Sequence, residues 1–279
     1  MTTEPPKSAA ARSEEKFLEQ MNRELAGWSD PAARLRQALA RDDLQLYCQP
    51  ILSLRPPGQF HMAETLVRLR EEEALSLPPG DFLPAFEHFG MMAELDRWVA
   101  DQVVRWLADA PASGMRRFSI NVAGQTLEEA AFPAFVADLL RSRNVPPPAL
   151  TFEVDEADTL ARLEASVRFA HAVKQIGCKV LVDGFGRRSV SFIALKTMRA
   201  DFVKVDGAII RALRRSEVAR HKLQAVVRVG DALGIEVIAE CVEEADVLAR
   251  LRAARVGYAQ GFGVAQPMPI GRSAALRVS

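Results

Sequence analysis

Short strand-like runs alternate with helix-length amphipathic segments along most of the chain, and this rhythm limits the fold more than any other feature. Eight runs are predicted as strands, at 44–54, 60–69, 117–120, 150–154, 179–182, 202–205, 236–239 and 257–260. Helices are predicted near 82–89, 91–109, 126–142, 158–175, 189–198, 216–233 and 243–253. Strands that alternate with helices pair in parallel through helical crossovers, so the pattern predicts an α/β protein. Eight such strands favour a TIM-like (β/α)8 barrel over a doubly wound sheet.

The first two predicted strands have no helix between them. Their link, Arg55-Pro56-Pro57-Gly58, is a turn sequence, so this pair is predicted to be antiparallel. Two helices are predicted before the barrel, at 14–26 and at 31–39, the second beginning at Asp30-Pro31. The predicted organisation is a disordered segment at 1–13, N-terminal helices at 14–40 and a barrel domain at 41–279. These helices either pack against the barrel or form a dimer or partner surface.

The composition excludes several classes of protein. Lysine and arginine number 36, as do aspartate and glutamate, so the formal charge is zero and a duplex nucleic-acid partner is not expected. No apolar run approaches the roughly 18 residues of a membrane-spanning helix, and the N-terminus has no apolar stretch typical of a secretory signal. Cys48, Cys178 and Cys241 are scattered and odd in number, which indicates reduced thiols in a cytoplasmic protein.

Polar side chains stand at or near the ends of most predicted strands. They are Glu64, Asn121, Glu153, Glu156, Asp183, Lys204, Asp206, Glu240 and Gln260. Strand ends converge on one face of a parallel barrel, so these side chains are expected to gather there. Clustered carboxylates repel each other unless a cation lies among them, and oxygen donors without His or Cys favour Mg²⁺, Mn²⁺ or Ca²⁺. Two such ions about 3.5–4 Å apart are common in phosphodiester hydrolysis.

Each of these residues taken alone is more simply explained as a helix N-cap or a solvated turn. The set is stronger evidence, because unpaired acids at nearly every strand end are a poor choice for capping alone.

The sequence resembles the EAL-domain family, the bacterial cyclic di-GMP phosphodiesterases and their degenerate relatives, over roughly residues 35–270. The resemblance is carried by eight segments in the family's order: Gln49-Pro50-Ile51, Glu64-Thr65-Leu66-Val67-Arg68, Phe82 to Gly90, Ser119-Ile120-Asn121-Val122, Phe152 to Glu156, Val203-Lys204-Val205-Asp206, Ala239 to Glu243 and Gln260-Gly261-Phe262. It implies a TIM-like barrel with one antiparallel strand, in agreement with the hairpin.

The resemblance also implies roles for individual residues. The metal ligands are expected to be Glu64, Asn121, Glu153 and Asp183, and the residues that organise the attacking water Lys204 and Glu240. The residues expected to contact or lie near the cyclic dinucleotide are Gln49, Leu66, Arg68 and Gln260, with Arg68 paired to a phosphate. Glu156 is expected to anchor the loop after Asp183. A homodimer is a further expectation from the family.

The departures from the family pattern concern the loop after Asp183. The family's Asp-Asp-Phe-Gly-Thr-Gly-Tyr is Asp183-Gly184-Phe185-Gly186-Arg187-Arg188-Ser189 here. Gly184 has no ligand atom in its side chain, so we expect Mg²⁺ or Mn²⁺ to bind at reduced occupancy, above all at the second position. Arg187 and Arg188 either replace metal charge opposite the ligand's phosphates or belong to a rearranged, solvated loop. Cys241, where a glycine is usual, is expected to be a buried, inert thiol.

Three functions follow as hypotheses. The first is a degenerate EAL domain that binds cyclic di-GMP as a receptor with little or no hydrolysis. The second is an active or slow phosphodiesterase that yields linear pGpG with Mg²⁺ or Mn²⁺. The third is a nucleotide-independent module that binds a protein partner through the N-terminal helices or the barrel surface.

Overall fold

The computed structural model describes residues 28, 30–41, 43–55, 60–70, 76–77, 79–110, 115–187 and 192–276. The segment predicted to be disordered at 1–13, the helix predicted at 14–26, and Arg188 and Ser189 lie outside the described residues. The chain divides into two compact units, one of Met1–Gln45 with Val67–Leu95 and one of Leu46–Leu66 with Asp96–Ser279. The division of the sequence at 13/14 and 40/41 stays a prediction.

The sheet confirms the predicted (β/α)8 barrel. Its strands are β1 (Leu44–Ser53), β2 (Phe60–Arg70), β3 (Ser76–Leu77), β4 (Phe118–Asn121), β5 (Leu150–Asp155), β6 (Lys179–Phe185), β7 (Phe202–Val205), β8 (Glu236–Ala239), β9 (Tyr258–Ala259) and β10 (Met268–Pro269). Neighbours from β2 through β4 to β9 pair in parallel, β1 is antiparallel to β9, and β1 also pairs with β2. One strand therefore runs against seven, as the hairpin predicts.

Helices connect the parallel strands. They are α1 (Pro31–Ala40), α2 (Pro79–His88), α3 (Met92–Asp109), α4 (Gly124–Leu127), α5 (Phe132–Ser142), α6 (Glu156–Ala161), α7 (Leu163–Ile176), α8 (Ile193–Met198), α9 (Gly207–Ala212), α10 (Glu217–Leu233) and α11 (Ala245–Ala253), with 3-10 turns at Pro147–Ala149 and Ile270–Ala275. Gly177 and Gly234 end α7 and α10 at φ 102° and 70°, a conformation that glycine adopts without a Cβ clash.

The barrel interior is apolar. Ile51, Met62, Leu181, Ile238 and Tyr258 come from five different strands and form one buried cluster. In the same unit, a second apolar layer lies between the sheet and its helices. It contains the rings of Phe132, Phe152 and Phe169, whose centroids are 5.8–6.0 Å apart. Burial of these side chains provides the main stabilisation of the fold.

The other unit contains α1, α2 and the short strand β3. Asp30 caps α1 by accepting a hydrogen bond from the Ala33 backbone N–H at 3.0 Å, as the Asp-Pro pair predicts. Leu35 and Ala38 are fully buried, and α1 packs against α2. The apolar face of this N-terminal helix is therefore covered within its own unit, which favours packing over a free partner surface.

Two predicted helices differ from the structure, and one short helix was not predicted. The helix predicted at 126–142 is two helices, because Pro133 lacks an N–H and lies in the first turn of α5. The helix predicted at 158–175 begins at Glu156 and is interrupted at Arg162, where ψ is 46°. The sequence analysis did not predict α9, which Asp206 caps through the Ala208 N–H at 2.9 Å. None of the described helices has the length and hydropathy required to cross a membrane.

Candidate functional site

The polar residues predicted from the strand ends lie together at the carboxyl-terminal end of the barrel strands. Asn121 ends β4 and is in register with Glu153 on β5, while Lys204 lies on β7. Glu64 lies on β2, and Glu240 and Gln260 directly follow β8 and β9. Parallel pairing brings these positions to one face, which explains why Glu64 and Gln260, 196 positions apart in sequence, form a hydrogen bond.

Lys204 is at the centre of this group. Its side chain is 2% exposed, and its Nζ donates to Glu64 Oε2 at 3.0 Å and to Glu153 Oε1 in a closer contact. Asp183 Oδ1 lies 3.8 Å from the same nitrogen. One ammonium thus faces three carboxylates. When all four side chains are ionised, their net charge is −2.

Amide side chains surround Glu64 and hold its carboxylate in place. Asn121 Nδ2 donates to Glu64 Oε1 at 3.1 Å, and Gln260 Nε2 donates to Glu64 Oε2 at 2.7 Å. Gln260 Nε2 also lies 3.1 Å from Gln49 Oε1, and Gln49 Nε2 donates to the Ala265 carbonyl at 3.0 Å. The structure therefore brings the predicted metal ligands and two of the predicted nucleotide contacts into one network.

The other two predicted ligand-contacting residues lie on the same strand, β2. Leu66 lies on β2, two residues after Glu64, and alternation along a strand places both on the same face. Arg68 also lies on β2 but belongs to the unit that contains Val67–Leu95. Its contact with a phosphate stays a prediction.

Burial changes the protonation of the carboxylates. Desolvation raises the pKa of Glu153 well above its ordinary value, the Glu64 charge adds to the rise, and Lys204 opposes it. Desolvation likewise raises the pKa of Asp183, against the Lys204 charge. Burial also acts to raise the pKa of Glu64. The charge of Lys204 and the hydrogen bonds from Gln260 and Asn121 outweigh it and keep this pKa below its ordinary value. The cluster therefore favours an added proton or cation.

The chemistry of the donor set suits a divalent cation. In the described part of the chain, no group of three or more His, Cys, Asp or Glu side chains is arranged to hold a metal ion, and the Lys204 ammonium lies among the carboxylates. Yet Glu153 Oε2 and Asp183 Oδ1 are buried without a hydrogen-bond partner among the described residues. Unpartnered carboxylate oxygens beside an excess of negative charge suit a hard cation such as Mg²⁺ or Mn²⁺.

A β-bulge in β6 lies at Asp183 and Gly184 and affects the direction of the Asp183 side chain. Val182 is in register with Val203 and Phe185 with Val205, so two residues of β6 lie opposite the single residue Lys204 of β7. Gly184 has φ +65°, the left-handed region that glycine adopts without strain. A regular strand would turn successive side chains to opposite faces. The bulge relaxes that rule at the position where the family has two aspartates.

Arg187 occupies the space beside Gly184. A Cβ atom at Gly184 would be 2.9 Å from Arg187 Nη2, 3.1 Å from its Cζ and 3.2 Å from Asp155 Oδ2. Arg187 Nε donates to Asp206 Oδ2 at 2.7 Å, and Nη1 donates to Asp155 Oδ2 at 3.3 Å. Arg187 is thus paired with two acids although its side chain is 55% exposed, and both alternatives for this loop stay predictions.

Glu156 and Glu240 connect this region to neighbouring loops. Glu156 Oε2 accepts a hydrogen bond from the Gly186 N–H at 3.0 Å, a contact suited to the predicted loop anchor. Glu240 Oε1 accepts from the Gly207 N–H at 2.6 Å. Burial and then the Asp183 charge raise the pKa of Glu240 to about 7. A carboxyl group with such a pKa exchanges protons near neutral pH, as a general base must.

Cys241 differs from its predicted burial. Its side chain is only partly buried, and its φ is +54°, in the region that glycine prefers. Desolvation nevertheless raises the pKa of the thiol, which keeps it protonated at neutral pH.

Asp96 is a buried carboxylate that the sequence analysis missed. Its Oδ2 accepts hydrogen bonds from the Thr126 hydroxyl at 2.6 Å and from the Ala123 N–H at 2.9 Å, just after β4. A signal was present, since Asp96 shares the helical face of the buried residues Ala100 and Val103. An acid on an otherwise apolar face indicates a buried hydrogen-bonded partner.

The family model described as the EAL domain matches residues 32–267. The chain belongs to the EAL domain family. It is 29% identical over 239 residues to the cyclic di-GMP phosphodiesterase PdeF of Escherichia coli K12, covering 85% of this chain and 32% of that protein. The chain thus spans about a third of the length of the first curated relatives it matches.

Solved EAL domains have the same fold. The FimX EAL domain of Pseudomonas aeruginosa, bound to c-di-GMP, superimposes with a TM-score of 0.80 at 27% identity, over 86% of this chain and 96% of that one. The PaMucR phosphodiesterase in complex with c-di-GMP gives a TM-score of 0.79 at 26% identity, over 87% and 98% of the two chains. These similarities agree with the barrel derived from the strand register.

Proposed function

We propose that this chain is a degenerate EAL domain that binds cyclic di-GMP as a receptor and hydrolyses it little or not at all. The observation that carries the proposal is the arrangement beside Asp183. Gly184 provides no ligand oxygen, and the guanidinium of Arg187 lies next to it, paired with Asp155 and Asp206. A centre that hydrolyses phosphodiesters with two ions lacks one of its donors here.

Binding uses residues that the chain retains. Gln260 is 3% exposed, and its Nε2 is held between Glu64 and Gln49, which orders both amides before a ligand arrives. Gln49, Leu66 and Gln260 are the proposed contacts to the dinucleotide, and Arg68 is the proposed partner of a phosphate. Pre-ordering of these groups lowers the entropic cost of binding.

One Mg²⁺ or Mn²⁺ ion would be held by Glu64, Asn121, Glu153 and Asp183, and when bound it would polarise a phosphoryl oxygen. Lys204 orients Glu64 and Glu153 through its two hydrogen bonds. Its ammonium also limits the repulsion among the acids before any cation enters. The chain's own residues thereby keep the ligand pocket assembled at low metal concentration.

Slow phosphodiesterase activity is the second candidate. Glu153 Oε2 and Asp183 Oδ1 are buried without a hydrogen-bond partner among the described residues, so one ion has oxygens available to it. Glu240, with a pKa of about 7, is suited to take a proton from an attacking water. This candidate predicts release of linear pGpG.

Calorimetry and product analysis distinguish the candidates. The receptor predicts heat on titration of cyclic di-GMP into the protein with Mn²⁺, and intact nucleotide afterwards. Gln260→Ala, which removes a proposed contact, is expected to weaken binding, whereas Gln224→Ala, at an exposed position of α10, is the matched control. Sustained release of linear pGpG would establish the second candidate, and turnover above about 1 s⁻¹ would show that Gly184 does not impair hydrolysis. Absence of heat and of any thermal shift at tens of micromolar ligand would refute the receptor and favour a nucleotide-independent partner module.

Assembly and location are proposed on less evidence. All three cysteines are free, which fits a reducing compartment such as the cytoplasm. A homodimer and a protein partner remain proposals from the family resemblance.

A further inference from the structure

We propose that the guanidinium of Arg187 takes the place of the second divalent cation, so that one cation position of this site is filled by the protein itself. The inference rests on the proposed function, because it explains how the barrel mouth stays assembled with one donor and one ion fewer. Arg187 then supplies positive charge in place of the second ion. It also prevents an aspartate restored at position 184 from recruiting that ion by itself.

The first argument is position. Arg187 Nη2 and Cζ lie 2.9 and 3.1 Å from the place of a Cβ at Gly184, so the cationic group stands where an aspartate at 184 would begin. The family resemblance puts the second metal-binding aspartate at this residue. Asp183, the adjacent carboxylate of the cluster, is among the negative charges that act on Arg187.

The second argument is the set of acids that Arg187 neutralises. Asp155 follows from β5 and Asp206 from β7, and each uses Oδ1 to cap the helix that begins next to it. Each presents its other oxygen, Oδ2, to Arg187. Two carboxylate oxygens from different strands, directed at one cation, are an arrangement that a metal ion also requires. A guanidinium fork satisfies both with fixed directions.

The third argument is backbone conformation. Gly184 has φ +65°, which aspartate and asparagine tolerate better than most other residues with a side chain. An aspartate at 184 is therefore conformationally acceptable once Arg187 no longer fills its space. Gly184→Asp alone has to displace the guanidinium or pair with it, and a paired carboxylate is not available to a metal.

The test counts Mn²⁺ ions per chain by electron paramagnetic resonance, without nucleotide, in the parent, Gly184→Asp, Arg187→Thr and the double variant. Threonine is chosen because the family has it at 187. We expect one bound Mn²⁺ in the parent and in each single variant. The double variant is expected to bind two ions and to show the spin–spin coupling of a close pair.

Two controls accompany these proteins. Gly184→Ala with Arg187→Thr adds a Cβ without an oxygen and should stay at one ion. Arg214→Thr removes another arginine that pairs with two carboxylates, Glu244 and Asp246, and should leave the count unchanged. If the double variant does not fold, Gly184→Asn with Arg187→Thr replaces it, since asparagine accepts this φ and keeps one oxygen; it should bind a second ion more weakly.

Three results would overturn the inference. They are a parent that binds two ions, a Gly184→Asp variant that binds the second ion as tightly as the double variant, and a folded double variant that stays at one ion. None of these counts depends on cyclic di-GMP. A protein that fails to bind the nucleotide but shows the expected counts would refute the proposed function and leave the role of Arg187 standing.

Discussion

Replacing Asp96 by asparagine should change how the stability of this protein depends on pH. Asp96 is 4% exposed and receives hydrogen bonds from the Thr126 hydroxyl and the Ala123 N–H. Burial raises its pKa from 3.8 to about 7, these two bonds lower it, and the charge of Glu129 raises it further. Asparagine keeps the accepting oxygen but does not ionise.

Proton linkage gives the direction and the size of the stability change caused by Asp96→Asn. Between pH 4 and 7 the folded protein keeps the Asp96 proton that the unfolded chain has released, so this residue makes the fold less stable as pH rises. A pKa raised from 3.8 to about 7 corresponds to ~4 kcal/mol at 1.36 kcal/mol per pKa unit. Asp96→Asn should therefore gain stability relative to the parent by up to ~4 kcal/mol between pH 4 and pH 8.

Urea unfolding of both proteins at a series of pH values measures this difference. Other buried acids, Glu240 among them, titrate in both proteins and cancel in the comparison. Asp138→Asn is the matched control, because Asp138 is exposed and pairs only with a neighbouring arginine on α5. A difference between Asp96→Asn and the parent that stays constant from pH 4 to pH 8 would refute the reasoning.

Three further predictions concern the site and its supports. Lys204→Met removes the ammonium that contacts Glu64 and Glu153 and should destabilise the metal-free protein by about 3–5 kcal/mol, with part of the loss restored by Mn²⁺. Equal stability in chelator and in Mn²⁺ would contradict this. Glu156→Ala removes the acceptor of the Gly186 N–H and should lower the free energy of unfolding by ~1–3 kcal/mol. Hydrogen exchange in the loop after β6 should become faster. Unchanged exchange in this loop would count against the anchoring role of Glu156. Cys241→Gly relieves the backbone strain of a non-glycine residue at φ +54° and should raise the free energy of unfolding by ~1 kcal/mol. A decrease would show that the side-chain contacts of Cys241 outweigh the strain.

The sequence predicted the barrel and the convergence of its strand ends because both follow from local patterns. Each strand is an apolar run bounded by turn residues, and parallel pairing then brings Asn121, Glu153 and Lys204 to one face without knowledge of any contact. The antiparallel first strand followed from the short Pro-rich link after Leu54. These are statements about secondary structure and topology, which the order of residues determines directly.

The contacts of Arg187 were beyond such patterns. Its partners Asp206 and Asp155 lie 19 and 32 residues away along the chain, at spacings that no helix or strand period predicts. The sequence indicated only that two cations replace a Thr-Gly pair. The ion pairs give Arg187 defined partners, and the choice between the two alternatives stays a prediction.

The errors in the predicted helices have a different cause. Pro133 predicts the start of α5, but the amphipathic pattern continues through residues 126–142 and hides the break. The short helix α9 presents too few turns to produce a periodic signal, and its N-cap, Asp206, was assigned first to the polar group at the strand ends. Short helices capped by acids are therefore difficult to separate from site residues in a barrel.

The most direct test of the account is the fate of bound ligand. Protein in excess over cyclic di-GMP is incubated with saturating Mn²⁺, the complex is separated by gel filtration, and the nucleotide released on denaturation is quantified by chromatography. The account predicts that the nucleotide travels with the protein and is recovered intact. Recovery of linear pGpG instead would mean that Gly184 and Arg187 do not prevent hydrolysis, and that this EAL domain is a working phosphodiesterase.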